Sequence, residues 1–507
     1  MSVNVLLFTG SFYSHMRTAG AYRIATQLRR SGYTVQVVDC LPQIVAYNDE
    51  TLRVLIEKFV GEDTLWVGFS STFLFNVRES KAALKRGLSS RKVDDNKLMF
   101  AGSILPFPQE EQERMRDQIL ALNPKCKIVI GGARTHLRNC LVADVYIDGY
   151  ADMKVVEFTR WLDGKNPFLR WESCGPGGRQ MALTSSPDAD GLDFTSTPIE
   201  WHESDHIAVH ESLPIEIARG CIFSCSFCSY PLNGKKKLDY IRHADSLVEE
   251  LTRNYDLFGT TQYVYADDTH NDSMHKLEYL YENVYSRLPF KIGFYTYLRL
   301  DLLAAHPDSI PLLKESGLRG AFFGIESLNY ESAKAIGKGI RPERALETLD
   351  RVRETWGSDV KTSAGFIVGL PHETPETVSW LGTITQPSFP LDCVHIYPLY
   401  ISKSTSKFWK SDLEKDPESF GYSFDQNGDW YNRHWAFKDC KSLADHFLDI
   451  AAHNGKRKMS DFSLPALMNL GYTQNELDVQ INGLEQTGAA QRSILRITNY
   501  VNKLLLL

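Results

Sequence analysis

From residue 213 to residue 401, short apolar runs and amphipathic stretches alternate six times. The runs are LPIEIARGC, TQYVYADD, KIGFYTYLRLDLL, GAFFGIES, KTSAGFIVGLP and CVHIYPLYI. Between them lie stretches of helical period, such as HADSLVEELTRNYDLFG and PERALETLDRVRETWG. Strands that alternate with helices predict a parallel sheet with right-handed crossovers. Six such repeats in succession suit an open or partial (β/α)6 barrel better than a flat sheet. In a barrel of this kind the chemistry is expected at the C-terminal strand ends. Cys221, Asp267, Asp268, Arg299, Glu326, Ser327 and the loop after Gly369 all fall there.

A chain of 507 residues exceeds one ordinary core. Residues 1–165 form an earlier strand–helix series: VNVLLFTG, TAGAYRIATQLRRSG, YTVQVVDC, DETLRVLIEKFVGED, TLWVGFSS and CKIVIGGAR. That order predicts a doubly wound α/β domain. Residues 166–212 are rich in Gly, Ser, Asp and Pro and read as a linker or a long wrapping segment. Residues 213–410 hold the barrel, and 411–507 read as a mostly helical C-terminal cap. The formal charge of −7 excludes a globally basic nucleic-acid binder. No segment has the ~18–20 consecutive apolar residues of a membrane helix. The start, MSVNVLLFTGSFYSH, lacks a basic n-region and reads as a first strand rather than a signal peptide. Nine cysteines, an odd number without a paired framework, point to a reducing, cytoplasmic setting.

Cys221, Cys225 and Cys228 stand in the pattern C-x3-C-x2-C. A structural zinc site wants four ligands, so zinc would need a distant fourth such as His270. A fully ligated iron–sulfur cubane also takes four cysteines. Three thiolates on a four-iron cluster leave one iron open, as a catalytic site requires.

Here the chain resembles the radical S-adenosylmethionine (SAM) enzymes. Phe227 precedes the last cysteine, the cysteines follow the strand PIEIARG, and four later segments occur in order. These are YADD at 265–268, YLRLD at 297–301, GIES at 324–327 and GFIVGLPHET at 365–374. The resemblance implies a TIM-like partial barrel and a [4Fe–4S] cluster on Cys221, Cys225 and Cys228. It implies SAM on the open iron, reductive cleavage to a 5′-deoxyadenosyl radical, and hydrogen abstraction from a substrate. It places Glu326 and Ser327 at the SAM ribose or amino group, gives Arg299 a share in holding SAM, and runs Gly365 and Gly369 close to the adenine and methionine moieties. Of Asp267 and Asp268, one faces the cavity; either could cap the next helix.

A Rossmann-like domain ahead of such a barrel resembles the cobalamin-binding class of the family. The matching stretches are VIGGAR at 129–134 and ADVYIDGYADMKVVEF at 143–158. Two departures stand out. Asp148-Gly149-Tyr150-Ala151 replaces an acidic Gly-Glu-Gly-Glu, and of a D-x-H-x-x-G motif only His15 survives, without an orienting carboxylate. Two readings follow: cobalamin binds without a protein ligand to cobalt, or the domain keeps the fold without the cofactor. The first gives methyl transfer from methylcobalamin to an unactivated carbon. The second gives a cobalamin-independent rearrangement or isomerisation, on a modified nucleobase or nucleotide. A third reading, from another class, is a non-enzymatic iron–sulfur or zinc protein. The expected partners are a small-molecule or nucleotide-type substrate and an electron donor such as flavodoxin or ferredoxin, with no membrane. The basic segment 78–97 reads as a solvated face or, more sharply, as a dock for a nucleotide or nucleic acid. WYNRHW at 430–435 is a candidate lid, against the plainer reading of an aromatic core.

Overall fold

The computed structural model describes residues 2–11, 16–47, 49–72, 74–77, 106–132, 143–186, 190–236, 240–401, 408–456, 463–481 and 486–506. His15 and the basic segment 78–97 lie outside the described residues.

The apolar run at the start forms β1 (Val5–Phe8), second from one edge of a seven-stranded sheet. Its companions are β2 (Val35–Val38), β3 (Trp66–Ser70), β6 (Lys127–Gly131), β7 (Val145–Gly149), β8 (Glu172–Cys174) and β9 (Gln180–Ser185), in the order β2-β1-β3-β6-β7-β9-β8. A separate short pair, β4 (Phe75–Val77) and β5 (Pro106–Pro108), stands apart from it. All pairings in the large sheet are parallel except the β8–β9 hairpin. Val5 is in register with Val35 on one side and with Trp66 on the other. The strand order therefore reverses beside β1, which opens a crevice at the C-terminal ends of β1 and β3. Period-2 alternation divides the core: Val5 and Leu7 join one cluster, Leu6 and Phe8 the other.

Of the two readings of 166–212, linker or wrapping segment, its described residues follow the second. It contributes β8 and β9 to the sheet. It then wraps helix α1 (Ala19–Arg30), burying Trp201 against Tyr22 with ring centroids 4.1 Å apart. Arg17 locks it down, donating to Glu211 at 2.6 Å, to Tyr22 at 2.5 Å and to Asp39 at 3.1 Å, all buried. Breaking one member would strand an uncompensated buried charge.

The second sheet holds β10 (Leu213–Ile215), β11 (Gln262–Tyr265), β12 (Gly293–Leu298), β13 (Leu318–Glu326), β14 (Lys361–Val368) and β15 (Cys393–Pro398), in chain order and all parallel. This is the open six-stranded barrel that the alternation predicts. Residues 411–507 do not form one cap. They begin with a small hairpin, β16 (Ser423–Phe424) and β17 (Trp430–Tyr431). The helix Phe437–His453 packs on β14 and β15 and supplies the barrel's sixth helix. The helix Leu464–Asn469 sets Leu464 and Leu467 against Tyr295, Val264 and Phe322, facing the start of β13. The last helix, Gln486–Leu506, returns to the first domain, where Ile497, Tyr500, Val501 and Leu504 share a core with Leu6, Phe8, Leu52 and Leu55. Among the described residues no helix is long and apolar enough to cross a membrane.

Candidate active site

The three cysteines follow β10 on a loop stitched to its surroundings by backbone bonds. The Cys221 N–H donates to Leu232 O at 3.1 Å, Gly234 N–H to Phe223 O at 2.9 Å, and Lys235 N–H to Cys221 O at 3.0 Å. Ser226 N–H donates to Ile336 O, and Leu413 N–H to Ser226 O. Three separate parts of the chain thus fix the loop. Gly337 makes the closest approach: its φ is +81°, and a Cβ there would sit 3.2 Å from the Cys225 Cα.

All three thiols are free, with Cys221 buried and Cys225 and Cys228 half-buried. Cys221 Sγ accepts from Phe223 N–H at 3.5 Å and touches Thr269 Oγ1 at 3.4 Å. Cys225 Sγ accepts from Arg299 Nη1 at 3.3 Å. Burial pushes the Cys221 and Cys228 thiols up from their ordinary value. Soft sulfur donors, with N–H groups aimed at the sulfurs and a cation beside one of them, fit an anionic iron–sulfur core.

Arg299 lies at the end of β12, but its guanidinium is engaged away from the barrel's interior. Nε donates to Asp301 Oδ1 at 3.0 Å, Nη2 to Asp301 Oδ2 at 2.6 Å and to Gly337 O at 3.2 Å, and the group lies 3.9 Å from the Phe223 ring centroid. Glu326, at the end of β13, has φ +67°, a strained value for a side-chain-bearing residue. The β13–β14 register shifts between Gly324 and Glu326, so Gly324 faces Gly365 and Glu326 faces Phe366. The carboxylate lies above those two glycines: a Cβ on Gly324 would come 2.7 Å from Glu326 Oε1, and one on Gly365 3.9 Å from Oε2. Lys338 stands 3.6 Å from Oε1 and donates to Gly324 O at 2.9 Å. Burial pushes the Glu326 carboxyl up, against the pull of Lys338. A buried carboxylate at a strand end fits the hydroxyl and ammonium donors of SAM.

Ser327 faces elsewhere. Its hydroxyl donates to Glu373 Oε1 at 2.9 Å, and Glu373 Oε2 accepts from Gly369 N–H at 2.8 Å and Leu370 N–H at 3.1 Å. Gly369 has φ +93°, and a Cβ there would lie 2.6 Å from the Trp430 ring. Trp430 is core, 2% exposed, with its indole donating to Leu399 O at 2.7 Å. The nearby Trp435 indole donates to Glu373 O at 3.1 Å.

The adjacent carboxylates after β11 diverge. Asp267 is buried on Lys276 at 2.8 Å and His270 at 3.3 Å. Burial pushes its carboxyl up, but Lys276 and His270 outweigh that and hold it below the ordinary value. Asp268 is half-buried and faces the cysteine loop, with Gly220 N–H bonded to it; burial and Asp267 raise it to about 6. His270 is packed edge-on against Tyr265 and Phe294 and bound to Asp267.

The first domain meets the cysteine loop through an aromatic bridge. Tyr150, just past β7, stacks on Trp409 at 5.8 Å, and the Tyr230 ring meets Trp409 edge-on at 5.9 Å. Arg219 lies 5.2 Å from the Tyr150 centroid and pairs with Asp152 and Glu216. Sequence reasoning overlooks Lys338 and Gly337, because only the folded chain brings them to the site, and it leaves Asp301 of YLRLD without a role. Glu373 sits inside the quoted GFIVGLPHET, but nothing in the spacing reveals its bond to Ser327.

Residues 215–381 match the family described as the radical SAM superfamily. The barrel thus carries a radical SAM domain. Its radical SAM domain implies a [4Fe–4S] cluster and SAM. Among curated proteins, it is 27% identical over 266 residues to the anaerobic magnesium-protoporphyrin IX monomethyl ester cyclase of Cereibacter sphaeroides, covering 52% of this chain and 41% of that one. It is 25% identical over 224 residues to the hopanoid C-2 methylase of Rhodopseudomonas palustris, covering 43% of this chain and 41% of that one. The chain thus spans less than half the length of these relatives. Among solved structures, the radical SAM methyltransferase TsrM from Kitasatospora setae, with cobalamin and a [4Fe–4S] cluster bound, superposes with a TM-score of 0.60. That match covers 98% of this chain and 100% of TsrM at 15% identity, so the two share a fold, first domain included.

Proposed function

We propose that this protein is a radical SAM enzyme whose [4Fe–4S] cluster is held by Cys221, Cys225 and Cys228, and whose first domain binds cobalamin for methyl transfer to a small-molecule or nucleotide-type substrate. The observation that carries the reading is three free thiols on one stitched loop at the mouth of an open six-stranded barrel. When bound, the cluster supplies the electron that splits SAM into methionine and a 5′-deoxyadenosyl radical, and cobalamin supplies a transferable methyl group. Glu326 offers its carboxylate to hydroxyl or ammonium donors of SAM, and Gly324 and Gly365 admit the Glu326 carboxylate, Lys338 and the Phe322 ring close to the backbone. Tyr297, Phe322, His395 and Tyr397 build an aromatic wall that excludes water, with successive centroids 5.4, 5.6 and 6.4 Å apart.

The cobalamin reading is supported by the crevice beside β1. Its edge carries the small residues Gly10, Ser11, Ser71, Thr72 and Gly132 at the switch point. TsrM, which shares the fold, is described with cobalamin bound. A second reading, radical rearrangement without cobalt, is favoured by the sequence Tyr13-Ser14-His15-Met16-Arg17-Thr18 where a D-x-H-x-x-G motif would stand. The electron donor is a flavodoxin or ferredoxin, and the working compartment is the reducing cytoplasm, which suits eight described cysteines that are all free.

Anaerobic reconstitution tests both readings. The protein should take up about four irons per chain and release 5′-deoxyadenosine from SAM on reduction. Purified with hydroxocobalamin, it should retain the colour. A colourless protein that still cleaves SAM selects the rearrangement, and one that cleaves no SAM rejects both.

A further inference from the structure

Arg299 has five N–H donors, and its surroundings fix how they are spent. Asp301 takes Nε and Nη2 as a two-pronged pair at 3.0 and 2.6 Å. Gly337 O takes Nη2 at 3.2 Å. The Phe223 ring, from the cysteine loop itself, lies 3.9 Å from the guanidinium carbon. Nη1 is left pointing at Cys225 Sγ, 3.3 Å away, and the whole residue is 5% exposed. The face of a guanidinium that grips a carboxylate with two parallel bonds is therefore already filled by Asp301. A SAM carboxylate would have to displace it.

We propose that Arg299 is a positioning residue for electron transfer: it raises the reduction potential of the cluster by donating a charge-assisted hydrogen bond to the sulfur of Cys225, and it does not hold SAM. The inference rests on the three-thiol cluster proposed above. One electron from an external reductant adds one negative charge to the iron–sulfur core. A fixed cation bonded to a ligand sulfur stabilises the more negative, reduced core over the oxidised one. The bond is strong because the group is sheltered from water and needs no rearrangement when the electron arrives. The other two sulfurs meet neutral donors, Phe223 N–H at Cys221 and Tyr230 N–H and Asn233 at Cys228. Cys225 alone of the three has a charged donor among the described residues.

The test uses full-length protein reconstituted anaerobically as wild type, Arg299→Gln and Arg299→Lys. Iron content comes first, then a redox titration read by electron paramagnetic resonance without SAM, then SAM affinity. In Arg299→Gln the ratio of reduced to oxidised cluster at fixed potential should fall about tenfold, which is about 59 mV for one electron, while SAM affinity stays within about twofold. Arg299→Lys keeps the charge but loses the fork, and should shift the same way by less. If Arg299→Gln takes up no iron, the lysine variant decides by the same criterion. An unchanged potential with weakened SAM affinity overturns the proposal and returns Arg299 to SAM. Wild-type protein that takes up no four-iron cluster overturns the underlying reading instead.

Discussion

The Glu373 carboxylate joins two strand ends: one oxygen takes the Ser327 hydroxyl at 2.9 Å beyond β13, and the other takes the Gly369 N–H at 2.8 Å beyond β14. Ser327 follows Glu326 in sequence, so this tie sets where the Glu326 carboxylate stands.

The same carboxyl makes stability depend on pH. Burial outweighs its hydrogen bonds and lifts it from an ordinary 4.5 to about 7. Between those values the folded protein binds more protons than the unfolded chain. Stability therefore falls as pH rises from about 4.5 to about 7, by ~3 kcal/mol over the full span. Glu373→Gln should flatten this slope, because its amide oxygen can accept both N–H groups while its NH2 donates to a rotated Ser327 hydroxyl. Urea unfolding across the pH range measures the slope. An unchanged slope in the variant would assign it to other groups.

Lys276 is fully buried between Asp267 at 2.8 Å and Asp272 at 3.5 Å, behind the cysteine loop. Lys276→Met strands both carboxylates and should cost ~3–5 kcal/mol. Adding Asp267→Asn should recover part of that loss. Denaturant midpoints of the single and double variants give the coupling.

Gly337→Ala places a methyl group 3.2 Å from the Cys225 Cα at φ +81°. The strain should cost ~1–3 kcal/mol. Its more specific effect should be reduced iron per chain after reconstitution, since the displaced backbone carries Cys225. Gly339→Ala, where a Cβ meets nothing within 4 Å, is the control and should load iron normally.

Replacing any one of Cys221, Cys225 or Cys228 by Ala should bring iron well below about four per chain and abolish 5′-deoxyadenosine release. Cys440→Ala, at a buried cysteine of the sixth helix that faces Gly369, should leave iron content intact while lowering stability by ~1 kcal/mol.

The barrel is legible in the sequence because parallel strands buried on both faces appear as unbroken apolar runs, and GAFFGIES and KTSAGFIVGLP are such runs. The cysteines are legible by spacing alone. The sheet extension at Gln180–Ser185 is not, since only two of its six residues, Leu183 and Ser185, are buried and one of them is polar. The sixth helix escapes notice because the β16–β17 hairpin stands between it and β15. Arg299 is visible as a cation at a strand end. Its partner Asp301 is two residues away, but Gly337 and Phe223 meet it only through the fold.

The last helix has a consequence for biogenesis. Leu504 is buried beside residues of α3 (Asp49–Phe59), and the Lys58 ammonium donates to Leu504 O and Leu505 O at 2.9 and 2.8 Å. On the ribosome, the hydrophobic interior of the first domain would close only after translation had reached this helix. A substitution that loosens Leu504 would therefore disturb a domain far removed from it in sequence.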